Sequence, residues 1–151
     1  MDAEVYPNEE VSNYISANFI PVKIHLKENA PRFHRFGVQW TPTLMVLDAE
    51  GKEHYRFEGY LPAANFLAEV DFGRGRFAFH KKQWDEAISD FYSAAARDHK
   101  TEFAAEAGYW AAVAQYMKAH DATALREWSK KVRAEFPTTT WAKRAAAYAT
   151  E

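Results

Sequence analysis

Up to Leu61 the apolar residues come in short runs and alternations, and from Pro62 to the end they return every three or four positions. A period of two marks a half-buried strand, and a spacing of three to four marks a helix packed on one face. The chain therefore changes character a little beyond Leu61. Helix and strand alternate before that point, and only helices come after it.

In the first part, Asn8 has the side chain of a helix N-cap, Glu9 and Glu10 suit the positive start of a helix, and Val11, Tyr14 and Ile15 share a face. "FIPVKIHL", Phe19 to Leu26, is rich in β-branched and apolar residues and reads as a strand, with Pro21 denying it one ladder bond. In "NAPRFHRFGV", Pro31 stands near a helix start and Gly37 where a left-handed residue ends it. "TLMVLD", Thr43 to Asp48, is a nearly unbroken apolar run and predicts a central strand covered on both faces. Gly51 then supplies the turn of a hairpin, and "HYRFEGYL" alternates Tyr55, Phe57 and Gly59 against His54, Arg56 and Glu58.

In the second part, helices are predicted over Pro62 to Lys81, Trp84 to Arg97, Thr101 to Lys118, Ala122 to Glu135 and Thr139 to Tyr148. Asp121 and Thr138 are the expected N-caps of the last two, and Gly73 and Gly75 are expected to break or bend the first.

Composition narrows the function classes. Of 151 residues, 48% are hydrophobic and the formal net charge is -2, which argues for a globular chain and against a nucleic-acid partner. No run approaches the roughly 18 apolar residues of a membrane span, and the start "MDAEVYPNEE" is acidic where a secretory signal is basic, so a cytoplasmic location is expected. There is no cysteine, which removes disulfides, thiolate nucleophiles and cysteine-bound zinc from these residues. His25, His34, His54, His80, His99 and His120 show no ligand spacing, so no metal site is expected. Asp48, Glu50, Asp85 and Glu86 fall in turns or at helix starts, where solvation and the helix dipole account for them. No phosphate-binding loop is present, no cofactor is expected, and no catalytic residue is assigned.

The order helix, strand, helix ending at Gly37-Val38, then "WTPT", a buried strand, a glycine-turn hairpin and "FEGYL" resembles the thioredoxin family from just after its active-site motif to its last strand. The resemblance, with the helix after that strand, covers residues 1–70. It implies a cis peptide bond at Thr41-Pro42 and a substrate-binding role for Trp40, Thr41 and Pro42. Trp40 either caps a substrate groove or packs on the core. The departure is equally informative, because the family's Cys-x-x-Cys strand and helix have no counterpart. "MDAEVYPNEE" resembles the segment that comes next in the family, as if Met1 were an internal position of a longer member.

The missing strand is the one that lies between "FIPVKI" and "TLMVLD" in the family's sheet. Unpaired buried backbone groups cost about 1–3 kcal/mol each, so the gap must be filled. Collapse of the two strands together, a strand from a second copy, or a partner peptide would fill it, and a homodimer is the favoured expectation.

Residues 71–151 resemble tetratricopeptide repeats: "FGRGRFAFHKKQWDEAISDFYSAAARD" places Gly75, Trp84, Ala87, Phe91 and Ala94 at matching positions. A degenerate second copy comes next with Tyr109, Tyr116 and Pro137, its Leu125 lying 38 residues after Ala87 where about 34 is usual.

The expected fold is α/β followed by all-α: an incomplete thioredoxin-like sheet domain over residues 1–70 and a tetratricopeptide-like helical domain over residues 71–151. Three functions fit. The chain is the non-catalytic portion of a thiol-disulfide oxidoreductase, redox-inactive as it stands. Alternatively it is a redox-inactive interaction module binding a protein or peptide in a groove lined by Trp40, Tyr109 or Trp110. Lastly, its helical faces around Trp128, Trp141 and Tyr148 serve to oligomerise it.

Overall fold

The computed structural model describes residues 1–25 and 27–149. The order is α1 (Glu9–Asn18), α2 (Ala30–Arg35), β1 (Thr43–Leu47), β2 (Glu53–Glu58), α3 (Ala63–His80), α4 (Trp84–Arg97), α5 (Glu102–Ala119), α6 (Thr123–Glu135) and α7 (Thr140–Ala145), closed by a 3-10 turn at Ala146–Tyr148. This is α/β followed by all-α. Asn8 caps α1, its side chain accepting from the Val11 N–H at 3.2 Å, and Gly37 ends α2 at φ +61°.

The expected strand at Phe19 to Leu26 does not form over residues 19–25, and Leu26 lies outside the described residues. A strand exists only through its partner's hydrogen bonds, and among the described residues the sheet contains β1 and β2 alone. Ile20 is 92% exposed and Val22 70%. The same absence corrects the reading of β1, which is not a central strand but one of an antiparallel pair, with Leu47 exposed.

The β1–β2 register runs from Thr43 opposite Glu58 to Val46 opposite Tyr55, and then jumps to Leu47 opposite Glu53. His54 is thus the extra residue of a bulge, and a bulge abolishes strict alternation. Both His54 and Tyr55 consequently touch α3: the His54 ring meets Phe77 edge-on at 5.0 Å, and Tyr55 meets Phe72 at 4.9 Å. The expected alternation is therefore broken at His54, which is buried.

α3 is continuous through Gly73 and Gly75, contrary to the expected break. The glycines serve proximity instead. A Cβ built on Gly73 would stand 2.6 Å from Val46 Cγ2, and one on Gly75 2.7 Å from the Phe91 ring. α3 thus carries the sheet on one side and α4 on the other, and the division at residues 70 and 71 falls inside it.

Three apolar clusters make up the core. Val5, Val11, Phe57, Phe66, Leu67 and Val70 join the N-terminal residues and α1 to β2 and α3. Phe72, Ala78, Ala87, Phe91, Ala94 and Ala107 join α3, α4 and α5. Leu125, Trp128, Val132, Trp141 and Ala142 join α6 and α7 to α5. Trp128 and Trp141 are buried inside the chain, and Trp128 Nε1–H donates to the Ala105 carbonyl at 2.9 Å, so these rings do not form the expected face for a second chain. Ala122, and not Asp121, is the N-cap of α6, and Asp121 one residue earlier accepts from the Thr123 N–H at 3.0 Å. Thr139, and not Thr138, caps α7, accepting from Ala142 N at 3.2 Å.

A buried polar cluster ties the two parts of the chain together. Asp71 of α3, only 1% exposed, accepts from the Tyr14 hydroxyl of α1 and from Arg97 Nε of α4 at 2.7 Å. Arg97 also reaches Glu10 at 2.8 Å, and Arg74 donates to the Tyr14 oxygen at 2.7 Å.

Candidate functional site at the free edge of β1

Trp40, Thr41 and Pro42 form the entry to β1. The Thr41-Pro42 bond is cis. Thr43 Oγ1 donates to the Trp40 carbonyl at 2.6 Å, folding the entry into a turn that leaves Trp40 68% exposed. Trp40 therefore stands out from the core. Arg56 of β2 donates to the Phe36 carbonyl at 2.6 Å, and this holds the end of α2 beside the same corner.

The Gly59 N–H donates to the Pro42 carbonyl at 2.8 Å, so these two face each other as a hydrogen-bonded pair. In an antiparallel ladder such pairs alternate, and Leu44 with Phe57 and Val46 with Tyr55 are the next ones. The N–H and C=O groups of Thr43 and Met45 therefore point away from β2. No other strand meets them among the described residues. Natural edges are usually guarded by charge, proline or a bulge. β1 carries neither a charge nor a proline, and the extra residue of the bulge is on β2.

Of the groove residues expected beside Trp40, Tyr109 packs among Trp128, Trp141 and Tyr148, and Trp110 is covered by the Arg76 guanidinium 4.0 Å from its ring centre. Neither lies with Trp40 at the β1 edge. The helices instead leave a cleft of about 440 Å³ lined by Glu106, Tyr109, Trp110, Trp141, Arg144 and Tyr148.

A second cluster was not foreseen. Asp48, in the turn after β1, accepts from the Lys52 N–H at 2.8 Å and from His54 Nε2 at 2.9 Å, while His54 Nδ1 lies 2.9 Å from Nδ1 of His80, the last residue of α3. The hydrogen bonds from His54 and Lys52 hold the Asp48 carboxyl down at about 2. Loss of hydration, then the neighbouring Arg76, His54 ring and Lys52, hold His80 below the ordinary imidazole range. The two histidines are 26 residues apart, and no local spacing announces them. Among the described residues no three metal-ligating side chains are placed so that they could hold a metal ion, and no helix is long and apolar enough to cross a membrane.

No curated protein and no solved structure matches the chain. Residues 1–74 match the family model described as a thioredoxin-like domain, which covers α1, α2, the β1–β2 hairpin and most of α3, and the N-terminal part of this chain is accordingly thioredoxin-like.

Proposed function

We propose that the chain is a thioredoxin-like interaction module in which the free edge of β1, beside Trp40, Thr41 and Pro42, takes a strand from another polypeptide, with a second copy of the chain as the first candidate. The observation carrying this reading is the unguarded edge: five uncharged residues whose Thr43 and Met45 backbone groups face no strand among the described residues. Added strands gain affinity from main-chain hydrogen bonds, and an apolar β1 pairs with its own copy without charge repulsion. The residues present contain no thiol, so they recognise a partner without exchanging a disulfide with it.

Light scattering across a wide concentration range tests self-pairing, together with Met45→Pro, which removes an outward N–H and leaves the bonds to β2 in place. A dimer lost in Met45→Pro supports the reading. A monomer at the highest concentration, with Thr43 and Met45 amides exchanging freely, overturns self-pairing.

A second reading rests on the match of residues 1–74 to a thioredoxin-like domain. In it the same edge receives a strand and helix bearing Cys-x-x-Cys, and the chain is the non-catalytic portion of a thiol-disulfide oxidoreductase. The intact mass and N-terminal sequence of the protein from its native cell decide between the two.

A further inference from the structure

Asp48, His54 and His80 lie in one line from the hairpin turn to the end of α3. Asp48 and His54 are enclosed, with 5% and 1% of their side chains exposed, and His80 reaches solvent. The carboxylate can only accept, so His54 presents Nε2–H to it, and the state of Nδ1 is left to the contact with His80. Two ring nitrogens 2.9 Å apart need one hydrogen between them.

The count of protons then has three cases. With both rings neutral, His80 Nδ1–H donates to His54 Nδ1. With one proton added, His54 becomes an imidazolium beside Asp48 and donates to a neutral His80. With two added, each Nδ1 carries a hydrogen and the rings repel. Around the pair stand Lys52 and Asp48 from the turn, Arg76 and Phe77 from α3, and Lys81 just after it, whose Nζ lies 3.6 Å from Asp48. The only anion among them already serves His54. A second positive ring therefore has no counter-charge to meet.

We propose that Asp48, His54 and His80 form a proton-operated joint between the β1–β2 hairpin and the C-terminal end of α3, closed with one hydrogen between the two Nδ1 atoms and opened when both imidazoles are protonated. Because Asp48 stays ionised until far lower pH, the opening is driven by the rings alone. Since His80 sits below the ordinary imidazole range, the closed form holds at neutral pH and the joint opens on the acid side. Opening separates the hairpin tip from the residues that lead α3 into α4, and so loosens the sheet from the helical part without unfolding either. This inference does not depend on what occupies the β1 edge.

The test monitors the full chain, labelled with nitrogen-15, from about pH 8 to about pH 4.5. Long-range ring spectra are expected to show a hydrogen on His54 Nε2 and, in the closed form, a single hydrogen between the two Nδ1 atoms, with the second ring charging on the acid side. On the second step the Lys52 and Tyr55 amides, corrected for intrinsic exchange, should exchange about tenfold faster, the change that one pH unit through a titration produces. Amides in the middle of α5 should not change. In His80→Gln, which cannot charge, the acid-side acceleration should vanish. A native chain with no acceleration, or an acceleration that persists unchanged in His80→Gln, overturns the joint. Should that variant fail to fold at neutral pH, the order of ring protonation and the amide exchange of the native chain decide on their own.

Discussion

The backbone of Gly73 lies so close to Val46 that a Cβ at Gly73 would stand 2.6 Å from the valine's Cγ2. This pair sets the distance between α3 and the hairpin. Alanine at an ordinary helix position gains about 1 kcal/mol over glycine. Here the overpacking, about 1–3 kcal/mol, opposes that gain. Gly73→Ala is expected to lower stability in urea denaturation, and Gly75→Ala likewise against Phe91. A stabilised Gly73→Ala would show that the contact is slack.

Asp71 is the hub between α1, α3 and α4. Truncating one partner of a buried, hydrogen-bonded charge leaves the other uncompensated, at a cost of about 3–5 kcal/mol. Asp71→Ala should therefore unfold the chain in much milder denaturant. Substituting Tyr14→Phe should cost less, since it removes a hydroxyl and no charge. Burial, then the bond to Asp71, pushes Tyr14 up to about 12. The folded value lies above the unfolded value near 10, so this stability is complete below pH 10 and disappears as pH rises through about 12. The alkaline limb of the stability curve should flatten in Tyr14→Phe.

Asp90 runs the other way in its effect at neutral pH. Burial pushes its carboxyl up to about 6, although Arg74 lies 3.4 Å away. Its contribution is favourable at low pH and is lost as pH rises through about 6, so at pH 7 the native chain carries an ionised group that prefers to be neutral. Asp90→Asn is expected to raise stability at pH 7 by about 1 kcal/mol and to lose that advantage near pH 4. Equal stability of both proteins at pH 7 would place Arg74 as full compensation.

Trp40 is exposed, so its removal should leave folding nearly untouched, within about 0.5 kcal/mol. At the edge of a strand-pairing surface a tryptophan typically contributes about 1 kcal/mol or more to association. Trp40→Ala should therefore keep its unfolding midpoint and weaken the complex formed at β1. Unchanged association would remove Trp40 from the site.

The amphipathic helices were legible because their spacing is a local property: α4 begins and ends at the predicted Trp84 and Arg97, and α3, α5 and α6 lie within a residue or so of their predicted ends. Gly37, Gly51 and the Asn8 cap could be read for the same reason, since positive φ and an unpaired N–H are met within a few residues. The hairpin and the entry at Trp40, Thr41 and Pro42 were visible from their order along the chain.

What was not legible depended on groups distant in sequence. "FIPVKIHL" has the composition of a strand, yet residues 19–25 remain irregular because the sheet holds only β1 and β2 among the described residues. The alternation sets His54 against Tyr55 and Phe57, and only the bulge opposite Val46 and Leu47 brings it, with Tyr55, onto α3 beside Phe77 and His80. Gly73 and Gly75 look like breaks until Val46 and Phe91 arrive beside them. Taken alone, the sequence determined the local periods, the caps, the turns and the absence of thiol chemistry, because each is set by neighbours along the backbone. The tertiary structure decided which edge of β1 meets no strand among the described residues and which aromatic rings are buried. It also decided which histidines share a proton, because hydrogen bonds and packing are formed with whatever the fold brings near.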